Sequence, residues 1–287
     1  MKLIKYFFQF IIIFFLFIIF KILGLKNSSN FASLLSKKIG PFFRSKELIS
    51  KNILKAFPNI SKDDLNHLAT NMWGNYGRIL AEYVFLKNFR KTTPTINLKV
   101  VGQEILDEIR KNKKPVIFIS GHFNNFELMA MHIEKSGINL ATIYRPLNNP
   151  FLNVLMENIR KKYICKKQIE KGIAGTRQLL KLFRKKTSIA LMIDQRVSEG
   201  INCQFFGHNA LTTTIPAQFV KKFNVRVVPV HIERILDNKF IMNISKPIRF
   251  NNSESIYDIT LRLNKVLETM ILKNPDQWIW THNRWKQ

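Results

Sequence analysis

The sequence predicts an α/β protein: a single domain with a mixed, mainly parallel sheet flanked by helices, plus an N-terminal membrane anchor helix. Three observations support this. Apolar segments of strand length alternate with amphipathic segments of helix length from residue 96 onwards. The 287 residues are enough to bury one large core. The first residues are far more apolar than the rest, so we expect an anchor at 1–26 and one domain at 27–287.

The N-terminal segment has the composition of a membrane helix. Residues 7–20 carry no charge, with Lys2 and Lys5 before them and Lys21 after them. This run is shorter than the roughly 20 residues that span a bilayer, although the stem of Lys21 extends it. A cleaved signal peptide is the alternative, but no clear A-x-A cleavage site follows, and Phe31-Ala32-Ser33 is a poor substitute. We expect a retained anchor, and the cations that follow it favour a cytoplasmic domain.

Helices are predicted first and an alternating pattern follows. Ser45 to Phe57 is helical until Pro58 breaks it, and Ser61 caps the next helix. Residues 204–214 suggest a loop that leads into a helix. Strands are predicted at 96–101, 115–120, 139–144, 188–193, 225–232 and 240–244. Helices are predicted at 103–112, from 123 to 133, and at 150–161, 173–183, 214–223 and 255–272.

The composition restricts the possible partners. Lys and Arg number 46 against 19 Asp and Glu, which gives a formal net charge of +27. This charge suits an anionic membrane, a phosphorylated lipid, nucleic acid or an acidic carrier protein. No nucleic-acid recognition module appears, so we expect no nucleic acid. Cys165 and Cys203 lack metal or disulfide spacing and no nucleotide-binding glycine motif occurs, so we expect no metal and no cofactor.

The most informative segment joins a buried strand to a histidine. The apolar run from Pro115 ends at Ser120, His122 follows, and helical spacing begins. A base at the exit of a buried strand lies where open α/β sheets place their chemistry. Glu127 follows His122 by about 500° of helical rotation, so the carboxylate reaches the imidazole only if His122 precedes the helix. The alternative is a histidine that merely satisfies backbone groups at a helix start.

Polar residues also follow other predicted strands. Arg145 would emerge at the same sheet edge, where it binds a phosphate or a carbonyl oxygen, or forms a surface ion pair. Asp194 and Gln195 end the next strand, and Asp194 orients a cation or accepts from a backbone turn. Thr213 or Thr214 would cap a helix whose N-terminus can hold phosphate or is an ordinary cap.

Together these pieces resemble the lipid A biosynthesis acyltransferases, the late acyltransferases of the lauroyl and myristoyl type. The resemblance covers nearly the whole chain and implies a glycerolipid-acyltransferase-like fold. It implies transfer of a fatty acyl group from acyl carrier protein to a hydroxyl of a phosphorylated glucosamine lipid at the bacterial inner membrane. Its motifs in order are His122-x4-Glu127, Tyr144-Arg145-Pro146, Ile193-Asp194-Gln195, Phe205-Phe206-Gly207, Thr212-Thr213 with Pro216-Ala217, and a tail from Pro275 to Lys286.

The resemblance also implies roles for residues. His122 would be the base, and Glu127 would fix its tautomer and stabilise the imidazolium. Arg145 would contact the phosphate or the developing oxyanion. The partners implied are acyl carrier protein, an anionic phospholipid membrane and a lipid A precursor, with acyl carrier protein as donor substrate rather than a cofactor. The other substrate-binding positions implied are Asp194, Asn125, Gln195 and Thr213.

One departure and several alternatives remain. The family commonly has Gly-Asn-Trp before its carboxylate, whereas Asn124-Asn125-Phe126 stand here, and asparagine tolerates left-handed backbone better than other non-glycine residues. Lysophosphatidate-type acyltransferases carry an E-G-T-R stretch, and the nearest string, Glu199–Asn202, lacks its Thr and Arg. Mannosylated or ornithine lipids are other possible acceptors. A non-catalytic, membrane-anchored binder of anionic lipid is the alternative from a different class.

Overall fold

The structure is a computed structural model that describes residues 1–91 and 97–286. Ile96, the first residue of the first predicted strand, lies outside these residues. Short 3-10 helices occur at Gly40–Phe42, Tyr83–Phe85 and Pro275–Gln277. The described helices are α1 (Lys2–Ile39), α2 (Lys46–Ala56), α3 (Lys62–Glu82), α4 (Leu86–Lys91), α5 (Gln103–Asn112), α6 (Glu127–Lys135), α7 (Pro150–Tyr163), α8 (Ile173–Arg184), α9 (Ile215–Phe223) and α10 (Ile256–Lys273). The strands are β1 (Asn97–Val101), β2 (Ile117–Ser120), β3 (Leu140–Tyr144), β4 (Lys167–Glu170), β5 (Ser188–Met192), β6 (Ile201–Phe205), β7 (His208–Thr212), β8 (Val227–Leu236) and β9 (Lys239–Ile244).

Within the described residues, seven strands form one sheet in the order β1-β9-β8-β2-β5-β3-β4. The strands from β8 to β4 in that order are parallel to one another, and β9 is antiparallel to β8. The predicted mixed, mainly parallel sheet in a single domain is therefore confirmed. The segment 204–214 was wrongly predicted to be a loop, because β6 and β7 form an antiparallel hairpin there. The edge strand β4 was not predicted.

Apolar residues on both faces of the sheet explain the continuous apolar runs. In β2, Ile117 and Ile119 pack into a core shared with α8, α9 and α10, whereas Phe118 packs into a core shared with α5 and α6. The helix after β2 and the helix after β5 thus lie on opposite faces of two adjacent strands. Such an arrangement opens a crevice at the carboxyl ends of those strands, where α/β proteins bind ligands.

The first helix consists of two parts with different surroundings. Gly24 has φ of 74° and ψ of 167°, which breaks the helix into two segments. The second segment packs tightly on α3, where a Cβ at Gly77 would lie 2.1 Å from the carbonyl oxygen of Ala32. In the described chain, Lys2–Phe42 is long and apolar enough to cross a membrane, and an 18-residue window within it has a mean hydropathy of 2.6. It is a candidate membrane anchor, and the boundary at residue 26 stays a prediction.

Candidate active site

A short loop between β2 and α6 presents His122 at the carboxyl edge of the sheet. Asn124 in this loop has φ of 26°, in the left-handed region that asparagine tolerates. Its buried side chain donates to the carbonyl oxygen of Ile232 at 2.7 Å and to Oε1 of Gln277 at 2.8 Å. The loop is therefore fixed against β8 and against the C-terminal segment.

His122 is paired with Asp194 across two adjacent strands. Ser120 in β2 is in register with Met192 in β5. His122 and Asp194 each come two residues later, so they meet at the same edge of the sheet. Nδ1 of His122 lies 2.7 Å from Oδ1 of Asp194, and the His122 backbone N–H donates to Oδ2 at 2.8 Å. The indole Nε1 of Trp278 also donates to Oδ2, at 2.8 Å. Asp194 is 2% exposed, whereas the His122 side chain is 21% exposed, so the imidazole is the accessible member.

The electrostatics of this pair favour a basic imidazole. Burial alone would raise the pKa of Asp194, but the charge of His122 and the hydrogen bonds from His122 and Trp278 lower it to about 2. Burial works to lower the pKa of His122, but the Asp194 carboxylate outweighs burial and raises it. Because Nδ1 faces an ionised carboxylate, the neutral ring carries its proton there. The Nε2 lone pair is therefore the basic site.

Glu127 has different partners from those expected. It is the first residue of α6, and its Oε1 accepts from the Tyr83 hydroxyl and from Nε of Arg160 at 2.9 Å. The expected contact between Glu127 and the imidazole is therefore not present, because Asp194 from the neighbouring strand takes Nδ1. The negative charge of Glu127 still contributes to the raised pKa of His122.

Arg160 and Tyr83 complete a buried charged cluster around Glu127. Burial alone would lower the pKa of the Arg160 guanidinium, but Glu127 and Tyr83 raise it, so this cation stays charged. Burial, the charge of Glu127 and the hydrogen bond to it raise the pKa of Tyr83, which keeps its hydroxyl protonated as a donor. The charge of Glu127 is thus matched by a guanidinium, whereas Asp194 faces the titratable imidazole.

Asn125 is held by a second buried ion pair. Its Nδ2 donates to Oε2 of Glu82 at 2.9 Å, and Glu82 receives both terminal nitrogens of Arg234 at 2.6 and 3.0 Å. The hydroxyl of Ser29 on α1 donates to the same carboxylate at 3.1 Å. Asn125 is 2% exposed, so its side chain fixes the loop between β2 and α6 to α3 and α1.

The remaining predicted residues lie around the same edge in different environments. Arg145 is exposed in the loop after β3, and Gln195 is half-buried directly after Asp194. Thr213 is buried and its Oγ1 accepts from the backbone N–H of Ile215 at 3.4 Å, at the start of α9. Their proposed contacts with substrate stay predictions.

Sequence reasoning from the residues did not assign a role to Trp278, Tyr83 or Arg160. The repeated tryptophans of the C-terminal segment were a usable signal, because Trp278 pairs with Phe123 and donates to Asp194. No comparable pattern marks Tyr83 and Arg160, which are 77 residues apart.

The model of one protein family matches residues 1–287, and that family is described as bacterial lipid A biosynthesis acyltransferase. The chain belongs to this family. It is similar to the lipid A biosynthesis lauroyltransferase of Escherichia coli K12, with 22% identity over 85% of this chain and 79% of that protein. The lipid A biosynthesis myristoyltransferase of the same organism is 22% identical over 85% of this chain and 75% of its own length. A lipid A biosynthesis acyltransferase of Haemophilus influenzae is 26% identical over 66% of this chain and 60% of its own length.

Membership in the lipid A acyltransferase family confirms the resemblance inferred from the motifs. The protein is an acyltransferase of lipid A, and hence lipopolysaccharide, biosynthesis. A lipid A precursor as substrate is consistent with this family. The geometry around His122 adds a base that can serve such a transfer.

Proposed function

We propose that the protein transfers a fatty acyl chain from acyl carrier protein to a hydroxyl of a phosphorylated glucosamine lipid, with His122 as general base. The observation that supports this most strongly is the hydrogen-bonded pair of His122 and Asp194 at the carboxyl edge of the sheet. An acyl transfer from a thioester to an alcohol needs a base that removes the hydroxyl proton, and this pair supplies one.

In the proposed reaction, Nε2 of His122 takes the proton while the hydroxyl oxygen attacks the thioester carbonyl. The tetrahedral intermediate then collapses, the carbon–sulfur bond breaks, and the imidazolium returns its proton to the thiolate. Asp194 keeps the ring in the correct tautomer and stabilises the imidazolium. Glu127 contributes its charge to the basicity of His122 and holds Arg160 beside the site.

We assign the lipid acceptor to the residues that surround this pair. Arg145 is exposed, so its guanidinium is available to a phosphate of the acceptor or to the developing oxyanion. Gln195 and Thr213 are proposed to contact the substrate at the same edge. Asn125 is proposed to act mainly through the loop that it fixes, because its amide already donates to Glu82.

The proposed donor, acyl carrier protein, is acidic, and a basic region adjoins the site. Within residues 160–186 the single acidic residue is Glu170, whereas Lys and Arg recur throughout. Lys171 and Arg177 are exposed, and the backbone N–H of Lys171 donates to Tyr144 at the end of β3 at 2.8 Å. Lys171 therefore lies at the same sheet edge as His122, and Arg177 follows it in the first turns of α8.

A double charge reversal tests the donor assignment. Lys171→Glu with Arg177→Glu should raise KM for acyl carrier protein about tenfold, because each reversal removes a favourable charge contact and adds a repulsive one. KM for the lipid should stay unchanged. Lys246→Glu is the matched control, since this exposed lysine follows β9 at the opposite end of the sheet. Equal effects of the two variants would contradict the proposed docking region.

We further propose that α1 anchors the protein at the bacterial inner membrane with the domain in the cytoplasm. The apolar composition of α1 and the net charge of +27 support binding to anionic phospholipid. In this location the enzyme meets both a soluble donor and a membrane-bound acceptor.

Mass spectrometry of lipid A from cells with and without the gene tests the function directly. The expected result is a mass difference of one acyl chain that His122→Ala fails to restore. His208→Ala, at an exposed histidine of β7, should restore it and serves as the matched control. Lipid A of identical mass in both strains, with acylation of another lipid instead, would contradict the acceptor assignment.

A further inference from the structure

The part of α1 before Gly24 is held against the domain near both of its ends. Near the N-terminus, the carbonyl oxygen of Tyr6 accepts from Nδ2 of Asn149 at 2.7 Å, and the ring of Phe10 lies 6.0 Å from that of Phe151. Near Gly24, Phe20 is fully buried and packs with Ala32 and Ala81. The helix therefore lies along the domain instead of projecting away from it.

The opposite side of this helix is apolar and exposed. The row of Ile4, Phe8, Phe15, Ile19 and Ile22 lies on one face, and these side chains are 62, 62, 60, 47 and 79% exposed. At 100° per residue, Lys2, Lys5 and Lys21 are rotated by more than about 70° from the middle of that row. The face consequently presents a continuous apolar strip with cations only along its flanks.

These contacts are incompatible with a helix that crosses the bilayer upright. Tyr6 and Phe20 are separated by about 21 Å of helix, most of the roughly 30 Å hydrocarbon thickness. Because Asn149 and Phe151 are attached at Tyr6, an upright helix would draw the start of α7 deep into the bilayer. The preceding loop carries the exposed Arg145, and burying such a charge in hydrocarbon is strongly unfavourable.

We propose that α1 before Gly24 lies in the plane of the membrane surface, with the Ile4–Ile22 row inserted into the acyl chains of one anionic phospholipid leaflet. The N-terminus and the catalytic domain are then on the same side of the membrane. The flanking lysines and the net charge of +27 meet the lipid headgroups, which supplies the charge complementarity. The inference rests on the proposed membrane association and not on acyl transfer.

The arrangement has a consequence for the acceptor. Since α7 begins beside Tyr6, Arg145 and the start of α7 come to the headgroup level of the same leaflet. A lipid with phosphates at that level can approach the carboxyl edge of the sheet without leaving its leaflet.

The side of the membrane on which an introduced cysteine can be labelled tests the proposal. Lys2→Cys and Lys246→Cys are compared in inner-membrane vesicles with a membrane-impermeant maleimide, and the unmodified chain is the background control because Cys165 and Cys203 are buried. Both variants should be labelled in inverted vesicles, in which the cytoplasmic side faces out. Labelling of Lys2→Cys only in right-side-out vesicles would overturn the proposal.

Depth measurements give a second, independent test. Nitroxide labels at Ile4, Phe8, Phe15 and Ile22 are placed one at a time in the full chain bound to phosphatidylglycerol-containing vesicles. An in-plane helix predicts similar immersion depths at all four sites and a shallower label at Lys5. A greatest depth midway along the helix, with Ile4 and Ile22 at opposite surfaces, would overturn it. Acyl transfer is measured separately, so a failed transfer assay leaves this result intact.

Discussion

Two buried carboxylates lie near His122 and have opposite surroundings. Asp194 is 72 residues from His122 along the chain and contacts its Nδ1, whereas Glu127 is close in the chain and contacts Arg160 and Tyr83. The difference shows that the neighbour in the sheet, and not the neighbour in the sequence, orients the base. Two parallel strands that end at one edge bring their following residues together whatever the length of the connection.

The charge on each carboxylate is also balanced differently. Glu127 is paired with the guanidinium of Arg160, whose pKa is raised, so this cation does not lose its proton. Asp194 faces an imidazole that gains and loses a proton during the reaction. Asp194 should therefore govern the basicity of His122, and Glu127 should modify it.

The largest effect is expected from His122→Ala, which removes the imidazole whose pKa both carboxylates raise. Removal of a general base costs roughly 10²- to 10⁴-fold in rate, so kcat should fall to that extent. The protein should stay folded with a lower melting temperature, because the buried Asp194 carboxylate loses its imidazole partner. Steady-state kinetics with a thermal melt measures both. Wild-type kcat in this variant would refute the base assignment.

A matched pair of isosteric changes then ranks the carboxylates. Asp194→Asn should lower kcat by about 10³-fold, because it removes the charge that fixes the tautomer and stabilises the imidazolium. Glu127→Gln makes the same chemical change and should cost about tenfold less, since Glu127 acts on His122 only through space. A larger loss in Glu127→Gln would reverse the comparison and make Glu127 the principal partner.

The pH dependence of kcat/KM sharpens the same ranking. Neutral His122 is the active form, and its pKa is raised above 6.5, so activity should rise with pH through a midpoint above that value. Asp194→Asn removes the main interaction that raises this pKa, so its midpoint should move to lower pH. Glu127→Gln should move it in the same direction by less. An unchanged midpoint in Asp194→Asn would contradict the electrostatic argument.

The smallest effect is expected at the indole that holds Asp194. Trp278→Phe removes one buried hydrogen bond and should cost about 1–3 kcal/mol of unfolding free energy in urea titrations. Trp280→Phe is the control, because Nε1 of Trp280 donates to the carbonyl oxygen of Pro275 at 2.7 Å, away from Asp194. Only Trp278→Phe should alter the pH profile, and a shift in both variants would point to a general packing effect.

Much of the fold was predictable because its strands are buried on both faces. The continuous apolar runs of β2 and β5 are recognisable as buried strands in the sequence. A polar functional residue follows each of them, His122 after β2 and Asp194 after β5. The β6–β7 hairpin escaped prediction because its burial alternates and its turn contains Phe206 in the left-handed region. The edge strand β4 buries only Ile169, so it gives little apolar signal.

The site was predictable in its position but not in its pairings. That His122 and Asp194 emerge at one edge follows from the strand pattern alone. Their adjacency depends on strand order, since β3 and β4 are inserted between β2 and β5 in the chain but not between them in the sheet. Sequence periodicity carries no information on that order, so the nearest carboxylate in sequence, Glu127, was assigned to the imidazole.

The hydrogen bond from Trp278 to Asp194 makes the order of synthesis important. A nascent chain that has emerged beyond β5 already contains His122 and Asp194, yet it lacks the indole that locks the carboxylate and the Gln277 contacts that lock the Asn124 loop. The geometry of His122 and Asp194 is therefore complete only once the segment after α10 has packed against the sheet. A ribosome-bound intermediate would contain both residues without the hydrogen bonds that hold them in place.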